Sequence, residues 1–332
     1  MTQPARQPDG SVPFRLLPQR AGGAATAGPP PGAGGTADPD TGPRVLLLHG
    51  LGIGARVWDP YVAHARPGRR PVTAELPWRG TGGRWSHHPD PRVWMHRVLE
   101  AALEESGGEG IDVVVAHSYS AMLLLNLLGG ADPDRDGASA HPPARYGIRG
   151  LVLVTPFHRS SPEDFDFAGF TGLWDRIEPH MAECLRVMGR GRGDERFLAV
   201  MARRLCELIG PYGWTRFFEQ YLRTPWTDLA ALDLPVLVVS SPSDTLAPPA
   251  EAEALARGLP RAELRPVPGC GHFPMTERSA YFAALVDDFV DRFRTGAVPA
   301  PPPRPEPRPA PVPVPAPGPG TGPAPTPIPE QA

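Results

Sequence analysis

From Arg44 onward the chain alternates short, fully apolar runs with longer amphipathic stretches, and few folds can accommodate that order. The runs RVLLLHG, RPVTAELP, IDVVVAHS, IRGLVLVTP, LPVLVVSSPSD and AELRPVPG read as six strands of a parallel sheet covered on both faces. RVLLLHG, IDVVVAHS, IRGLVLVTP and LPVLVVSSPSD lack the polar residue at every second position that a solvent-facing strand carries. Between and after them, WMHRVLEAALEES, AMLLLNLLGG and RSAYFAALVDDFVDRFRT show helical spacing. The expectation is an α/β fold: a mostly parallel sheet with helices on both faces. The earlier segment VPFRLLPQ is a weaker candidate, the remnant of an edge strand interrupted by prolines.

Two ends and one insertion depart from the alternation. Residues 1–42 are rich in Gly, Pro and Ala and offer almost no large apolar side chains, so disorder is expected there. Residues 296–332 are so proline-rich that an extended, coreless tail is expected. The folded domain then spans 43–295. Within it, 157–233 holds the helical patterns LWDRIEPHMAECLRVMG, DERFLAVMARRLCELIG and GWTRFFEQYLRT with no strand, the mark of a helical cap inserted between late strands. Its aromatic residues either seal the cap onto the sheet or line an apolar pocket between the layers.

The net charge of −3 and the lack of a basic stripe interleaved with aromatics argue against a nucleic-acid partner. All 33 basic residues are arginine, the usage of a GC-rich bacterial genome. No run reaches the ~18 apolar residues of a membrane span or resembles a signal-peptide core, so a cytoplasmic location is expected. Cys184, Cys206 and Cys270 have neither metal-ligand nor redox spacing. His87, His88 and Asp90 look superficially like ligands, but adjacent residues without a third ligand elsewhere fit a solvated loop better.

Chemistry concentrates in four segments. In IDVVVAHSYSAMLLLNLL a strand runs through a one-residue corner into a helix, which would strain Ser118 and lift its hydroxyl above the sheet. Ala116 and Ser120 are small enough for such a corner, and the helix start offers the Tyr119 amide to a developing oxyanion. A second amide would come from the turn LLLHGLG, at Leu51 or its neighbour Gly52, with His49 bracing the loop. LPVLVVSSPSD delivers Asp244 at a strand end, and PGCGHFP carries His272 in a glycine-lined loop after the next strand. Parallel strands bring these ends to one edge of the sheet. Serine needs a neutral imidazole to take its proton and a carboxylate to orient that imidazole, and the chain supplies Ser118, Asp244 and His272. Glu163 and Asp164, after the fourth of these strands, are the rival acids. Cys270 lacks a corner to expose it as a nucleophile.

Taken together, LLLHGLG, AELPWRGTG, VVAHSYSA, PVLVVSSPSD and GCGHFPMTE resemble, in content and order, the α/β-hydrolase family over about Arg44 to Thr295. The resemblance implies catalytic roles for Ser118, His272 and Asp244, an oxyanion hole at Leu51 and Tyr119, and a substrate-shaping cap. It departs from the family pattern where Trp78 and Arg79 replace a glycine-histidine-glycine turn, which affects either a pocket wall or only the loop surface. The residues expected against substrate are Trp78, Phe157, Trp174, Phe217 and Phe273.

A serine nucleophile points to acyl transfer on an ester or thioester with a moderately bulky apolar acyl group, without metal or organic cofactor. The expected partner is a small-molecule acyl substrate; nothing points to a membrane, and a homodimer is allowed without being specified. A lyase, C–C hydrolase, cyclase or perhydrolase using the same three residues is the alternative within enzymes, and a non-catalytic ligand-binding protein is the alternative outside them.

Overall fold

The structure, a computed structural model, describes residues 14–21, 42–79, 85–130, 142–189 and 191–295, all within the first of two compact units of the chain, Met1–Pro301. The chain order is β1 (Arg15–Pro18), β2 (Arg44–Leu48), α1 (Asp59–His64), β3 (Arg70–Glu75), α2 (Arg92–Glu105), β4 (Val113–His117), α3 (Tyr119–Leu128) and β5 (Gly150–Val154). It continues with α4 (Phe167–Met188), α5 (Glu195–Leu222), β6 (Val236–Ser240), α6 (Pro249–Gly258), β7 (Ala262–Pro266), α7 (Pro274–Glu277) and α8 (Ser279–Thr295).

The seven strands form one sheet in the order β1-β3-β2-β4-β5-β6-β7, parallel throughout except for β1. Every residue of β2, β4, β5 and β6 is buried, as their unbroken apolar runs require, and helix pairs α1 with α8 and α2 with α3 cover the sheet. Helix α8 is fixed by a buried ion pair, Arg69 Nε to Asp287 Oδ1 at 2.8 Å, and Asp287 also accepts from the Arg66 amide at 2.8 Å. Arg69 also pairs with Asp291 at 2.6 Å, so it is loss of Arg69, which would leave the buried Asp287 carboxylate without an ion-pair partner, that would strand a charge in the core.

One expectation needs correction. Part of the 1–42 segment is not disordered: Arg15–Pro18 pairs antiparallel with β3, Arg15 opposite Glu75. An outermost strand needs one hydrogen-bonded neighbour and little burial, so a composition poor in apolar residues conceals it, and Pro18 is tolerated at an edge. Residues 1–13, 22–41 and 296–332 lie outside the described residues.

The expected cap is formed by α4 and α5 between β5 and β6. Asp166 and Asp194 cap their starts, accepting from the amides of Gly169 (2.5 Å) and Phe197 (2.8 Å). Helix α5 bends at Gly210, whose φ of 67° suits glycine, just before Pro211, which could not continue the helical hydrogen bonding. Among the described residues no helix is long and apolar enough to cross a membrane.

Candidate active site

Ser118 sits alone between β4 and α3 with φ 55° and ψ −119°, a conformation a non-glycine residue holds only where its surroundings impose it. Two backbone bonds impose it here: the Ser118 amide donates to the Val154 carbonyl (2.9 Å) and the Ser118 carbonyl accepts from Met122 (3.2 Å). Ser120, read from sequence only as a small residue, also donates its hydroxyl to the His49 carbonyl, tying α3 to the loop after β2. Gly50 completes the approach, since a Cβ there would lie 2.9 Å from His117 Nδ1 and 3.2 Å from Ser118 Cβ.

His272 and Asp244 meet at the same edge. Asp244 Oδ2 accepts from His272 Nδ1 at 2.6 Å, while Oδ1 accepts from the Leu246 and Ala247 amides at 2.9 and 3.0 Å. With its proton on Nδ1, the His272 ring carries its lone pair on Nε2, which is buried and has no hydrogen-bond partner. The loop holding the ring is braced by Glu277, whose two carboxylate oxygens accept from the amides of Gly271 (3.0 Å) and Phe273 (3.1 Å). The rival acids lie elsewhere: Glu163 and Asp164 are exposed, and Asp164 accepts from the Ser160 and Ser161 amides.

Two supports escaped the sequence reading. His117 donates from Nε2 to the His272 carbonyl (3.0 Å), and Thr155, strained at φ 43°, donates its hydroxyl to the same carbonyl (3.3 Å). Burial first, and then the neighbouring His272, hold His117 well below the ordinary histidine range, so it stays neutral with a bare Nδ1. Both directly follow or end buried strands, but neither carries a motif that would separate it from packing residues.

The amide of Tyr119 opens α3 ahead of its first helical hydrogen bond. Leu51 lines the cavity, whereas the alternative donor, Gly52, has its amide bound to the Trp78 carbonyl at 2.8 Å. That removes Gly52 as the alternative to Leu51. His49 braces the loop as expected, donating from Nδ1 to the Gly50 carbonyl (2.8 Å) and accepting at Nε2 from the Leu76 amide (2.9 Å).

Ser118, His272 and Leu51 line a common, partly open pocket. Phe157, Phe217 and Phe273 line it, as expected of them, but Trp78 and Trp174 do not. Trp78 is fully buried, neither pocket wall nor loop surface: its indole donates to the His49 carbonyl (3.2 Å) and its ring packs edge-on against Tyr119. Trp174 is 50% exposed and packs on the outer faces of Trp214 and Phe218. The cavity roof is instead the single buried stripe of α4, Leu173, Ile177, His180, Met181 and Cys184, joined by Trp214 of α5. Its helical spacing is visible in the sequence, but the bulkier aromatics next to it drew attention away.

No group of three or more His, Cys, Asp and Glu suited to a metal ion occurs among the described residues. His88 instead bonds the Asp90 carbonyl (2.7 Å), and the Asp90 carboxylate pairs with Arg92 (2.8 Å). Cys270 is buried, its Sγ donating to the Val267 carbonyl at 3.4 Å, and burial pushes its thiol up, away from the nucleophilic form.

The chain belongs to the alpha/beta hydrolase family, whose model matches residues 45–285, and it is a hydrolase. Among curated proteins it is 29% identical over 268 residues to the pimeloyl-[acyl-carrier protein] methyl ester esterase of Aromatoleum aromaticum, covering 75% of this chain and 98% of that protein. Two solved structures share the fold. A putative lipase from Acinetobacter baumannii superposes with a TM-score of 0.57 at 16% identity, over 86% of this chain and 90% of its own. A putative aryl esterase from Burkholderia cenocepacia gives a TM-score of 0.55 at 19% identity, over 87% and 98%.

Proposed function

We propose that the protein hydrolyses carboxylic esters by an acyl-enzyme route, with Ser118 as nucleophile, His272 as general base and then acid, and Asp244 orienting the imidazole. The observation that carries the reading is the Asp244–His272 bond, which leaves an unprotonated Nε2 at the cavity that Ser118 also faces. In the first half-reaction the Ser118 oxygen bonds to the carbonyl carbon as its proton passes to His272 Nε2. The carbonyl oxygen takes the developing charge and is received by the amides of Leu51 and Tyr119. Collapse breaks the bond to the leaving oxygen, which receives the proton from His272. Water, deprotonated by the same nitrogen, then releases the acid and restores the serine.

The apolar lining supports an acyl chain of intermediate length, and the likeness to an esterase of carrier-borne methyl esters makes simple alkyl esters of such chains the first substrates to test. Thioesters of the same acyl groups belong to the same chemistry. We place the enzyme in the cytoplasm, acting on a small-molecule acyl substrate without cofactor, nucleic acid or membrane. The test is kcat/KM for alkyl and aryl esters of graded acyl length in the wild type and in Ser118→Ala. The reading expects turnover that depends on acyl length and falls by roughly 10⁴-fold or more in the variant. Ester turnover retained in the variant would reject it.

A further inference from the structure

The roof stripe of α4 is apolar except at His180 and Cys184, and His180 stands closest to the chemistry. Its ring meets the His272 ring edge-on, with centroids 4.7 Å apart and planes at 87°, and stacks on Phe273 at 15°. Nε2 of His180 lies 3.4 Å from Cys184 Sγ, and among the described residues no hydrogen bond engages Nδ1. Burial holds the Cys184 thiol protonated, so it can donate to Nε2 and leave the ring proton on Nδ1.

Resting on the serine-hydrolase reading, we propose that His180 recognises the leaving alcohol of the ester, donating a hydrogen bond from Nδ1 to the departing oxygen. The leaving oxygen must come within hydrogen-bond reach of His272 Nε2, because that atom gives it its proton. In the proposed reaction the carbonyl oxygen is received by the Leu51 and Tyr119 amides and so does not compete for His272 Nε2. The alcohol therefore lies against whatever the cap packs on His272, and that is His180. The other rings packed there offer no free donor: Phe157 and Phe273 are apolar, and the His117 donor is bound to the His272 carbonyl.

In the step itself the carbon–oxygen bond breaks, its electron pair stays on the leaving oxygen, and the proton comes from His272. His180 keeps its own proton and only stabilises the developing charge. A poor leaving group such as methoxide needs that support; an aryloxide, stable as an anion, needs little. His180 would thus bias the enzyme toward esters of simple alkanols.

The experiment compares kcat/KM for the methyl and p-nitrophenyl esters of one acyl chain in the wild type, His180→Phe, His180→Asn and the control Trp174→Ala. In His180→Phe the methyl-to-nitrophenyl ratio is expected to fall about tenfold, the size of one lost hydrogen bond. In His180→Asn, which keeps a donor, the ratio should recover most of that loss, and in Trp174→Ala it should equal the wild-type value. Equal losses on both esters in the two His180 variants would reduce His180 to packing and overturn the proposal, as would an unchanged ratio. Failure of the underlying reading is separately visible, as methyl ester turnover that survives Ser118→Ala.

Discussion

The sheet edge and the helical cap enclose one cavity, but they are built differently. At the edge, strands buried along their whole length end in polar groups held by short, specific bonds: Asp244 by His272 and two amides, the His272 carbonyl by His117 and Thr155, the His49 carbonyl by Ser120 and Trp78. The cap buries only one stripe of α4 and leaves Phe167, Trp174, Phe197 and Val200 exposed. Its firm attachment is the part of α5 beyond Gly210, where Asn126 donates to the Gln220 carbonyl (2.9 Å) and accepts from Thr227 (2.7 Å). The difference teaches where reactivity and selectivity are separable. Groups that must hold within a few tenths of an ångström sit on the rigid sheet, and the side chains that shape the cavity sit on an element whose outer face is nearly free to vary.

The comparison breaks first at the edge. Asp244→Asn should lower kcat by roughly 10³–10⁴-fold with little change in fold, because the amide presents a donor to Nδ1 and favours the wrong tautomer. Steady-state kinetics beside far-UV circular dichroism check it. Removing a buried charge partner from the sheet domain comes next: Arg69→Ala should lower unfolding free energy by about 3–5 kcal/mol by leaving the buried Asp287 carboxylate without its ion-pair partner, whereas Phe197→Ala on the cap surface should stay within about 0.5 kcal/mol. Denaturant titration of both variants tests the contrast.

Within the cap, the roof stripe and its neighbour should separate. Ile177→Ala should shift the preference between long and short acyl chains by about tenfold, while Trp174→Ala should leave it unchanged. A shift in the second variant alone would return Trp174 to the pocket.

The smallest expected effect concerns Glu251 of α6. Burial raises its carboxyl to about 7, opposed by hydrogen bonds from Tyr221 (2.6 Å) and the His158 amide (2.8 Å) and by Arg159 (3.2 Å). Because the folded value exceeds the unfolded one, the contribution of this group is fully present below about 4.5 and is lost as pH rises toward 7. Relative to the wild type, Glu251→Gln should show a flatter fall in Tm across that interval; parallel curves would contradict the assignment.

Much of this was legible in the sequence, for identifiable reasons. Strands β2, β4, β5 and β6 were visible because a strand with no solvent face cannot alternate, whereas β7, also expected to be buried on both faces, is a half-exposed edge strand; Ser118, Asp244 and His272 could be placed at one edge because parallel strands end together. Strand β1 was only a weak candidate because an edge strand needs so little burial. Trp78 and Trp174 were misplaced because ring size signals burial or contact without direction: one fills the core beneath the loop after β2, and the other lies on the outer side of the helix whose Leu173 and Ile177 face inward. His117 and Thr155 were hidden because their partner is a backbone carbonyl far along the chain.

The central claim is that Ser118 is the attacking atom's residue. Incubation of the folded protein with a fluorophosphonate, followed by peptide mass spectrometry, tests it most directly. The account predicts a phosphonyl adduct on the peptide containing Ser118, slowed in Asp244→Asn and absent in Ser118→Ala. An adduct on Cys270, or an unlabelled Ser118 in protein that still turns over esters, would contradict it.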